Sequence, residues 1–512
     1  MREAVYGREH VALLTADEAA ALDRRAREEG TPERALMENA GRAAAQVIHR
    51  LHPRGRVVAV VGSGNNGGDA MVALRSLRHW GRDVAWVPVG SSDPEPALSA
   101  GLELPRLDLD DAGAALAGAG AIVDGILGTG VTGAPREPAA TAIRRMNEAG
   151  PPIIALDIPS GVDPTTGDVP GAAVDADATI MFGWPKAGGL LQPGRQRCGR
   201  ILAVEIGFPP LRADGYGAAL ITPDWARARL PYRPPDAHKN SVGRVVIAAG
   251  RKGMAGAAVI AGRSAMRAGA GYARIVSDEA NRTILQGAVP AALFVDRADP
   301  GAVREAVEES DAVLIGPAIG TGDGGTGLLA AVLGRLGDRG VVLDADALTI
   351  LAEQDGLGEL GGATLITPHP GEMARLTGRG IAEIQADPIG VARDFADRHG
   401  VTVLLKGAPS VVAAPGMPVL VSAVGSSDLA TAAMGDQLGG LAAAFLAAGA
   451  TPAHAAGLAL LYGGRAAELA GRGRALTPTD VADRMHAAFD DPGPTASPTG
   501  LPFVLFDQPP RW

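Results

Sequence analysis

The sequence is poor in cysteine, in aromatic residues and in clustered basic charge. Its single cysteine, Cys198, excludes an intramolecular disulfide framework and fits a protein of the reducing cytoplasm. The nine histidines show no HxH or HxxxH spacing, so no transition-metal site is predicted. A net charge of −10 without a basic tract argues against nucleic-acid binding.

Uncharged stretches long enough to cross a membrane occur twice, but neither has the character of a spanning helix. Residues 407–427 contain prolines that such a helix would not favour, and residues 437–464 are interrupted by Thr451-Pro452. Residues 1–30 mix charged residues with alanine and contain no apolar signal segment. We therefore expect a soluble protein without a membrane partner.

The first half is organised around a glycine-rich loop between a buried strand and a helix. Residues 57–61 are an apolar run typical of a strand buried on both faces, and apolar residues return at helical spacing from Met71. The loop between them aims backbone N–H groups and the positive end of a helix at one spot, where phosphate can bind. Asn65, Asn66 and Asp69 favour a binding site there, although turn formation and helix capping would also explain them.

Alternating strands and helices in this half predict a mostly parallel sheet with helices on both faces, in which ligands bind beyond the carboxyl ends of the strands. Residues 11–51 are predicted to be helical, and the predicted strands that follow are residues 57–61, 84–89, 121–126, 153–156, 178–182 and 201–206. Polar residues follow three of these strands and are expected to meet at one edge: Asp124, Asp157 and Lys186.

Oxygen atoms at the same edge could surround a hard cation. Asn66, Asp124 and Ser160 offer an amide, a carboxylate and a hydroxyl oxygen. Because only one of the three carries charge, a monovalent ion suits them better than a divalent one.

A proline-rich stretch, residues 208–240, leads into a second set of strands and helices. We place the domains at residues 1–222 and 223–490, followed by an irregular proline-rich extension at residues 491–512. The predicted strands of the second domain are residues 245–249, 273–276, 312–315, 341–343, 364–366, 401–405 and 411–414.

Polar residues again follow these strands. Asp344 and Lys406 each stand directly after an apolar run, and Gly435-Asp436 opens an alanine-rich helix. Backbone N–H groups at that helix start can hold an oxyanion while Asp436 moves a proton. A plain helix cap is an equally good explanation for an aspartate at that position.

Several motifs, in fixed order along the chain, carry a resemblance to one family. In the first half they are Gly64-Asn65-Asn66-Gly67-Gly68-Asp69, Val123-Asp124-Gly125-Ile126-Leu127-Gly128-Thr129-Gly130, Leu156-Asp157-Ile158-Pro159-Ser160-Gly161 and Phe182-Gly183-Trp184-Pro185-Lys186. In the second half they are His238-Lys239, Arg251-Lys252-Gly253-Met254-Ala255-Gly256-Ala257, Asp344-Ala345-Asp346-Ala347-Leu348, Thr367-Pro368-His369-Pro370-Gly371-Glu372 and Lys406-Gly407-Ala408. The chain resembles the bifunctional NAD(P)H-hydrate repair enzymes.

This resemblance implies a Rossmann-like three-layer α/β/α domain, acting as NAD(P)H-hydrate epimerase, followed by a ribokinase-like α/β domain, acting as ADP- or ATP-dependent NAD(P)H-hydrate dehydratase. Such an enzyme interconverts the R and S hydrates of NADH and NADPH and dehydrates the S form. The resemblance further implies potassium, magnesium with the adenine nucleotide, and a homo-oligomer.

The resemblance also assigns residues. Asp157 and Asp436 are the implied acid–base groups, with Lys186 a second candidate in the first domain. The implied substrate contacts are Asn65, Asn66, Gly67, Gly68, Asp69, Gly128, Thr129, Gly130, Val131, Thr132, Gly133, Ala134, Asp157, Ala257, Gly320, His369 and Asp436. The implied nucleotide contacts are Lys406, Gly407, Ala408, Pro409, Ser410 and Gly435, and the implied potassium ligands are Asn66, Asp124 and Ser160.

One departure from the family pattern lies just before the alanine-rich helix that Gly435-Asp436 opens. Two glycines expected in the anion-binding run are Ala432 and Ala433 here. If either position needs a positive φ, alanine costs on the order of 1 kcal/mol. Two alternatives therefore stay open, namely a small-molecule kinase of the ribokinase-like class and a chain in which one half is an inactive binding module.

Overall fold

A computed structural model of the chain describes residues 9–90, 95–99, 101–130, 132–212, 215–354, 360–361, 363–495 and 497–508. Internal contacts divide the chain into two units. The first unit comprises Met1–Ala219 and Pro494–Trp512, and the second comprises Leu220–Gly493. Within the described ranges no helix is both long and apolar enough to cross a membrane.

The first unit contains mostly parallel strands separated by helices. Its strands are β1 (Ala12–Leu13), β2 (Val57–Val61), β3 (Val84–Pro88), β4 (Ala121–Gly125), β5 (Ile153–Leu156), β6 (Ala178–Phe182), β7 (Arg200–Val204) and β18 (Val504–Gln508), while β8 (Ala218–Ile221) crosses the division between the units. Its helices are α1 (Ala16–Glu28), α2 (Glu33–Leu51), α3 (Asn65–His79), α4 (Gly113–Ala117), α5 (Ala139–Ala149) and α6 (Gly194–Arg197).

Seven of these strands form one sheet in the order β18–β7–β6–β5–β4–β2–β3. Strands β2 to β7 pair in parallel, so the carboxyl ends of neighbouring strands share one edge. Side chains alternate along β2: Val57, Ala59 and Val61 pack with α2 and α3, while Val58 and Val60 pack with α5 on the other face. The sheet is thus the middle of three layers, which confirms the predicted Rossmann-like α/β/α class.

Two predictions for the first unit are wrong. Residues 11–51 are not helical throughout, because Ala12–Leu13 forms β1 and pairs antiparallel with β8. Residues 491–512 are not an irregular extension, because β18 lies beside β7 in the main sheet. The apolar run Val504–Phe506 is short and surrounded by prolines, and its partner lies about 300 residues earlier, so no local pattern identified it as a strand.

An ion pair anchors this C-terminal strand. The Arg200 guanidinium donates to the two Asp507 oxygens at 2.8 and 2.7 Å, and Asp507 is only 1% exposed. Ser497 also donates to the Asp507 carboxylate. A bidentate pair of this kind supplies both charge balance and geometry for the buried carboxylate.

The second unit has its own sheet. Its strands are β9 (Arg244–Ala248), β10 (Tyr272–Ser277), β11 (Leu293–Asp296), β12 (Ala312–Ile315), β13 (Gly340–Leu343), β14 (Thr364–Ile366), β15 (Thr402–Leu405), β16 (Val411–Ala413) and β17 (Val419–Ser422). Its helices are α7 (Pro223–Arg229), α8 (Ala255–Arg267), α9 (Arg282–Ala288), α10 (Pro300–Glu308), α11 (Asp323–Leu333), α12 (Asp346–Gln354), α13 (Pro370–Thr377), α14 (Ile381–Ala386), α15 (Pro388–His399), α16 (Met434–Ala447), α17 (Pro452–Ala470) and α18 (Pro478–Asp490).

These nine strands follow the order β17–β16–β15–β14–β13–β12–β9–β10–β11. Strands β9 to β15 pair in parallel, whereas β16 and β17 form an antiparallel edge. The mixed sheet with helices confirms the predicted α/β class of this half. Strands β11 and β17 were not predicted; β11 starts with the exposed Leu293 and therefore lacks the buried apolar pattern.

Replacing Arg200 tests the anchoring of the C-terminal strand. In Arg200→Ala, the buried Asp507 carboxylate loses its cation, and we expect the free energy of unfolding to fall by about 3 kcal/mol. Urea unfolding of the full chain, followed by tryptophan fluorescence, measures the change. Arg197→Ala is the matched control, since it breaks an exposed pair with Asp175 and should cost less than about 1 kcal/mol. Equal losses in the two variants would contradict the anchoring role.

Candidate functional site

A cleft of about 840 Å³ opens in the first unit, at the carboxyl ends of its parallel strands. Apolar residues of α1 and α2, among them Leu22, Leu36 and Met37, form part of its wall. Of the sequence-predicted residues, the following line it: Asn65, Asn66, Asp69, Gly128, Thr129, Gly130, Thr132, Ala134, Asp157 and Lys186. The apolar wall was not predicted, because it comes from ordinary amphipathic helices that carry no motif.

The glycine-rich loop is shorter than predicted, since α3 begins at Asn65. A Cβ at Gly62 would lie 2.0 Å from the Ile126 carbonyl oxygen, so only glycine fits this turn. No side chain caps the helix, and its first N–H groups stay available to an anion. Gly67 and Gly68 do not line the cleft: a Cβ at Gly67 would clash with the Gly62 carbonyl oxygen, and one at Gly68 with Met37.

Asp157 and Lys186 form a buried ion pair at the floor of the cleft. The Lys186 Nζ lies 2.6 Å from Asp157 Oδ1 and donates to the Phe182 carbonyl oxygen at 2.7 Å. Both residues are less than a tenth exposed. Asp157 has a φ of +64°, which few non-glycine residues adopt. Strain of this kind persists where the surrounding structure needs a side chain in one place, as at active sites.

Asp69 is a second carboxyl group beside this pair. It is 9% exposed. Burial raises the pKa of Asp69 well above its usual value, the nearby Asp157 charge raises it further, and Lys186 lowers it. The cleft therefore holds two aspartates in different electrostatic environments.

A group of oxygen atoms lies next to the cleft, around Ser160. The Ser160 hydroxyl donates to Asp124 Oδ1 at 2.7 Å and accepts from the Leu127 N–H at 2.9 Å. Asp124 is fully buried, and burial raises its pKa to about 6, against hydrogen bonds from Ser160 and Ile126. The Asn66 amide donates to the Leu127 carbonyl oxygen at 2.9 Å, while its own Oδ1 is buried without a hydrogen-bond partner.

Two predicted residues of the segment 128–134 fall outside this description. Val131 lies outside the described residues. Gly133 has a φ of +83° but does not line the cleft.

In the second unit, Asp344 and Lys406 form the corresponding pair after strands β13 and β15. The Lys406 Nζ lies 2.8 Å from Asp344 Oδ1 and 3.9 Å from Glu372 Oε2. Burial works against the Lys406 charge, but Asp344, Glu372 and Asp436 together raise its pKa. Burial first, and then the Asp344 charge, raises the pKa of Asp436 to about 6, while Lys406 lowers it.

The other predicted residues of this unit surround that pair to different degrees. A Cβ at Gly435 would lie 3.4 Å from Lys406 Nζ. Gly320, with a φ of +86°, donates its N–H to Asp346 at 2.8 Å. Ala257 lies in the first turn of α8, after the loop whose Gly250 and Arg251 N–H groups bond to Pro317 and Ala318.

His369 caps a helix. Its Nδ1 accepts from the N–H groups of Gly371 at 2.9 Å and Glu372 at 3.2 Å, and Glu372 reaches back to the His369 N–H. The Nδ1 atom is therefore occupied, and half of the side chain, 51%, is exposed. The segment of residues 407–410 is a tight turn in which the Ser410 hydroxyl bonds both the N–H and the carbonyl of Gly407 at 3.1 Å.

Comparison with known proteins identifies the family. Residues 245–486 match the family model described as NAD(P)H-hydrate dehydratase, and residues 33–188 match that of the YjeF-related protein N-terminus. A bifunctional NAD(P)H-hydrate repair enzyme of Salinibacter ruber is 36% identical, over 92% of this chain and 95% of the relative. The chain belongs to the bifunctional NAD(P)H-hydrate repair enzyme family. A repair enzyme of Moorella thermoacetica is 34% identical, over 90% of this chain and 93% of its own length.

Among solved structures, a ribokinase-like superfamily protein from Enterococcus faecalis matches with a TM-score of 0.50 and 24% identity, covering 56% of this chain and 99% of that chain. At this identity the likeness supports only the ribokinase-like fold of the second unit.

The alanines that depart from the repair-enzyme pattern differ in backbone conformation. Ala433 precedes α16 and has a φ of +63°, whereas Ala432 does not have a positive φ. A left-handed alanine costs roughly 1–2 kcal/mol, and glycine avoids the steric part of this cost. One of the two alanines, Ala433, therefore occupies a position that needs a positive φ, two residues before Gly435.

Substituting glycine at the two alanines measures this strain. We expect Ala433→Gly to raise the free energy of unfolding by about 1 kcal/mol, because glycine tolerates a positive φ. Ala432→Gly is the matched control and should lower it by up to about 1 kcal/mol, since it only adds backbone freedom to the unfolded chain. Urea unfolding of the full chain measures both. If Ala432→Gly were more stable than wild type and Ala433→Gly were unchanged, the strain would lie at Ala432 and the prediction would be wrong.

Proposed function

We propose that the first unit epimerises the R and S hydrates of NADH and NADPH and that the second dehydrates the S hydrate with ADP or ATP. Family membership supports both activities. The observation that carries the proposal is the recurrence, in each unit, of an aspartate–lysine pair with a second aspartate close by. Acid–base work at a substrate hydroxyl needs carboxyl groups of this kind.

In the first unit, we assign the hydrated dinucleotide to the cleft. The start of α3, which no side chain caps, would receive the phosphates of the dinucleotide. Gly128 leaves room beside it, because any larger residue at position 128 would place its Cβ only 3.3 Å from Asn66. Asp157 would exchange a proton with the hydroxyl at C6 of the hydrated ring. Its buried salt bridge orients the carboxylate, which is what a positioned base requires.

Potassium fits the oxygen group around Ser160. Asn66 Oδ1 is buried without a donor, and Asp124 is a buried carboxylate with no cation paired to it among the described residues. A bound potassium ion would neutralise this carboxylate and draw the Asn66, Asp124 and Ser160 oxygens together. It would thereby hold the loop of residues 126–128 against the cleft, without taking part in the proton transfer.

In the second unit, we assign the nucleotide to the turn of residues 406–410 and to the start of α16. Asp436, with a pKa of about 6, is mostly ionised at neutral pH and would take the proton of the C6 hydroxyl. The freed oxygen attacks the terminal phosphorus, and the nucleotide leaves with one phosphate fewer. Phosphate then departs with the electron pair of its bond to C6, and loss of the C5 proton restores the reduced nicotinamide ring.

Magnesium would have to be held mainly by the phosphates. In the described ranges, no three or more His, Cys, Asp or Glu side chains are grouped so that they could hold a metal ion. This agrees with the habit of magnesium to keep water and phosphate oxygens with few protein ligands. Its charge would offset that of the transferred phosphoryl group.

A repair assay on mixed hydrates separates the two activities. We expect the wild type with ADP or ATP to restore the reduced-nicotinamide absorbance of the whole mixture. Asp157→Asn should restore only the S fraction at the enzymatic rate, and Asp436→Asn should restore neither while still epimerising; each kcat should fall about 10²–10⁴-fold. Asp175→Asn, an exposed aspartate paired with Arg197, is the control and should behave as wild type.

Specific outcomes of this assay would contradict the proposal. Full consumption of the R form by Asp157→Asn would remove Asp157 from the epimerisation. Phosphorylation of a vitamin or sugar without repair of hydrates would favour the kinase alternative. Loss of one activity in the wild type itself would favour an inactive half.

The potassium site has a pH-dependent signature that does not need activity. Burial raises the pKa of Asp124 from its usual 3.8 to about 6, so the folded protein binds this proton more tightly than the unfolded chain does. The contribution of Asp124 to the free energy of unfolding is therefore lost as the pH rises from 3.8 through about 6. Potassium should offset this loss, raising the Tm at pH 8 and much less at pH 5, where a proton occupies Asp124. Choline chloride at equal ionic strength is the control, and Asn66→Leu should abolish the potassium effect. An equal effect at both pH values would exclude Asp124 as the ligand.

A further inference from the structure

Asp69 is a carboxyl group in the cleft that the assignments above leave without a chemical step. It lies in the second turn of α3 and lines the cleft together with Asp157 and Lys186. The residue is 9% exposed, and within the described ranges no group donates a hydrogen bond to its carboxyl. Burial without a hydrogen-bond donor disfavours the ionised form of a carboxyl group.

The charges that face Asp69 are two carboxylates and one lysine. The cation beside it, Lys186, is already bound to Asp157 at 2.6 Å. Burial and the charge of Asp157 raise the pKa of Asp69 well above its usual value, Lys186 lowers it, and Asp23 of α1 raises it slightly. The remaining titratable groups of the cleft, Glu33, Arg136 and Glu137, are exposed.

The two aspartates are consequently complementary. Asp157 has a cationic partner, since the Lys186 Nζ lies 2.6 Å from its Oδ1. Asp69 lacks such a partner, and burial raises its pKa. Two carboxyl groups in one cleft, one paired with a lysine and one without a cation of its own, suit the loss and return of water at a single carbon: one group gives a proton to the leaving oxygen and the other takes a proton from the entering water.

We propose that Asp69 is the general acid and Asp157 the general base of the epimerisation, with one proton shared between them. The proposal rests on the epimerase function proposed above. Asp69 donates its proton to the C6 hydroxyl, the C6–O bond breaks with its electron pair leaving as water, and the N1 lone pair forms a C6=N1 bond. Water then adds to the other face of C6, N1 regains its lone pair, and Asp157 takes the proton released by that water.

Conversion in the opposite direction uses the same groups with their roles exchanged. The proton then starts on Asp157 and ends on Asp69. Between turnovers the proton returns by exchange with water. Only the singly protonated pair is active, so the activity of the wild type should fall both at low pH, where both carboxyls are protonated, and at high pH, where both are ionised.

Asp69→Asn tests this role in the full chain with potassium and without adenine nucleotide, so that the second unit stays silent. Conversion of the pure R hydrate to S is followed by chromatography. We expect kcat to fall at least about 10²-fold with KM within about threefold of wild type, and the fall in activity at high pH to disappear. Asp83→Asn, an exposed aspartate beside Arg56, is the control and should keep wild-type kcat.

Other results would contradict the role of Asp69 as the general acid. An unchanged kcat, or a raised KM with unchanged kcat, would make Asp69 a binding group and overturn its role as acid. A high-pH limb that persists in Asp69→Asn would do the same. If the variant does not fold, the wild type decides: its high-pH limb must be present, and conversion in H₂¹⁸O must place one solvent oxygen at C6 per turnover.

Retention of the original oxygen would mean that the ring opens at its C6–N1 bond, which overturns the step written here. A wild type that does not epimerise at all would instead remove the proposed function of the first unit. The failure of the Asp69 proposal and the failure of the function are therefore separable.

Discussion

An aspartate at the carboxyl end of a parallel strand, held by a lysine that follows a later strand, is the interaction on which both units depend. Asp157 follows β5 and meets Lys186 from beyond the neighbouring β6, while Asp344 follows β13 and meets Lys406 from beyond β15. Burying either charge alone would cost several kcal/mol. Each partner is therefore tolerated only because the sheet brings the other one to the same edge.

This pairing also determines the state of the carboxyl group beside it. One lysine neutralises one carboxylate, so a further aspartate in the same buried space lacks a countercharge. Asp69 in the first unit and Asp436 in the second both have raised pKa values, with burial as the largest cause and the paired aspartate next. The two units thus share one electrostatic arrangement, in which a buried aspartate lies beside an aspartate–lysine pair.

Backbone strain is concentrated at these strand ends and helix starts. Asp157 and Ala433 both have a positive φ, at +64° and +63°, the first directly after β5 and the second directly before α16. At Asp157 the ion pair with Lys186 stabilises the unfavourable conformation. At Ala433 no such compensation is visible among the described residues.

What could be inferred from the sequence was local. Apolar runs marked the buried strands, and polar residues at their carboxyl ends, such as Asp124 near the end of β4 and Asp157 after β5, had to lie at one edge because parallel strands end together. Motifs of this kind also carried the resemblance to the family. These features depend on neighbouring residues only, so a sequence without a structure reveals them.

Tertiary structure decided what depends on residues far apart in the chain. The β18 strand has no signal of its own and becomes a strand because β7 offers an edge. Gly67 was singled out from its motif, and the folded chain shows that a Cβ there would lie 2.0 Å from the Gly62 carbonyl oxygen. The burial of Asp69 and the pairing of Lys186 with Asp157 cannot be read from spacing, since both arise from contacts that only the folded chain makes.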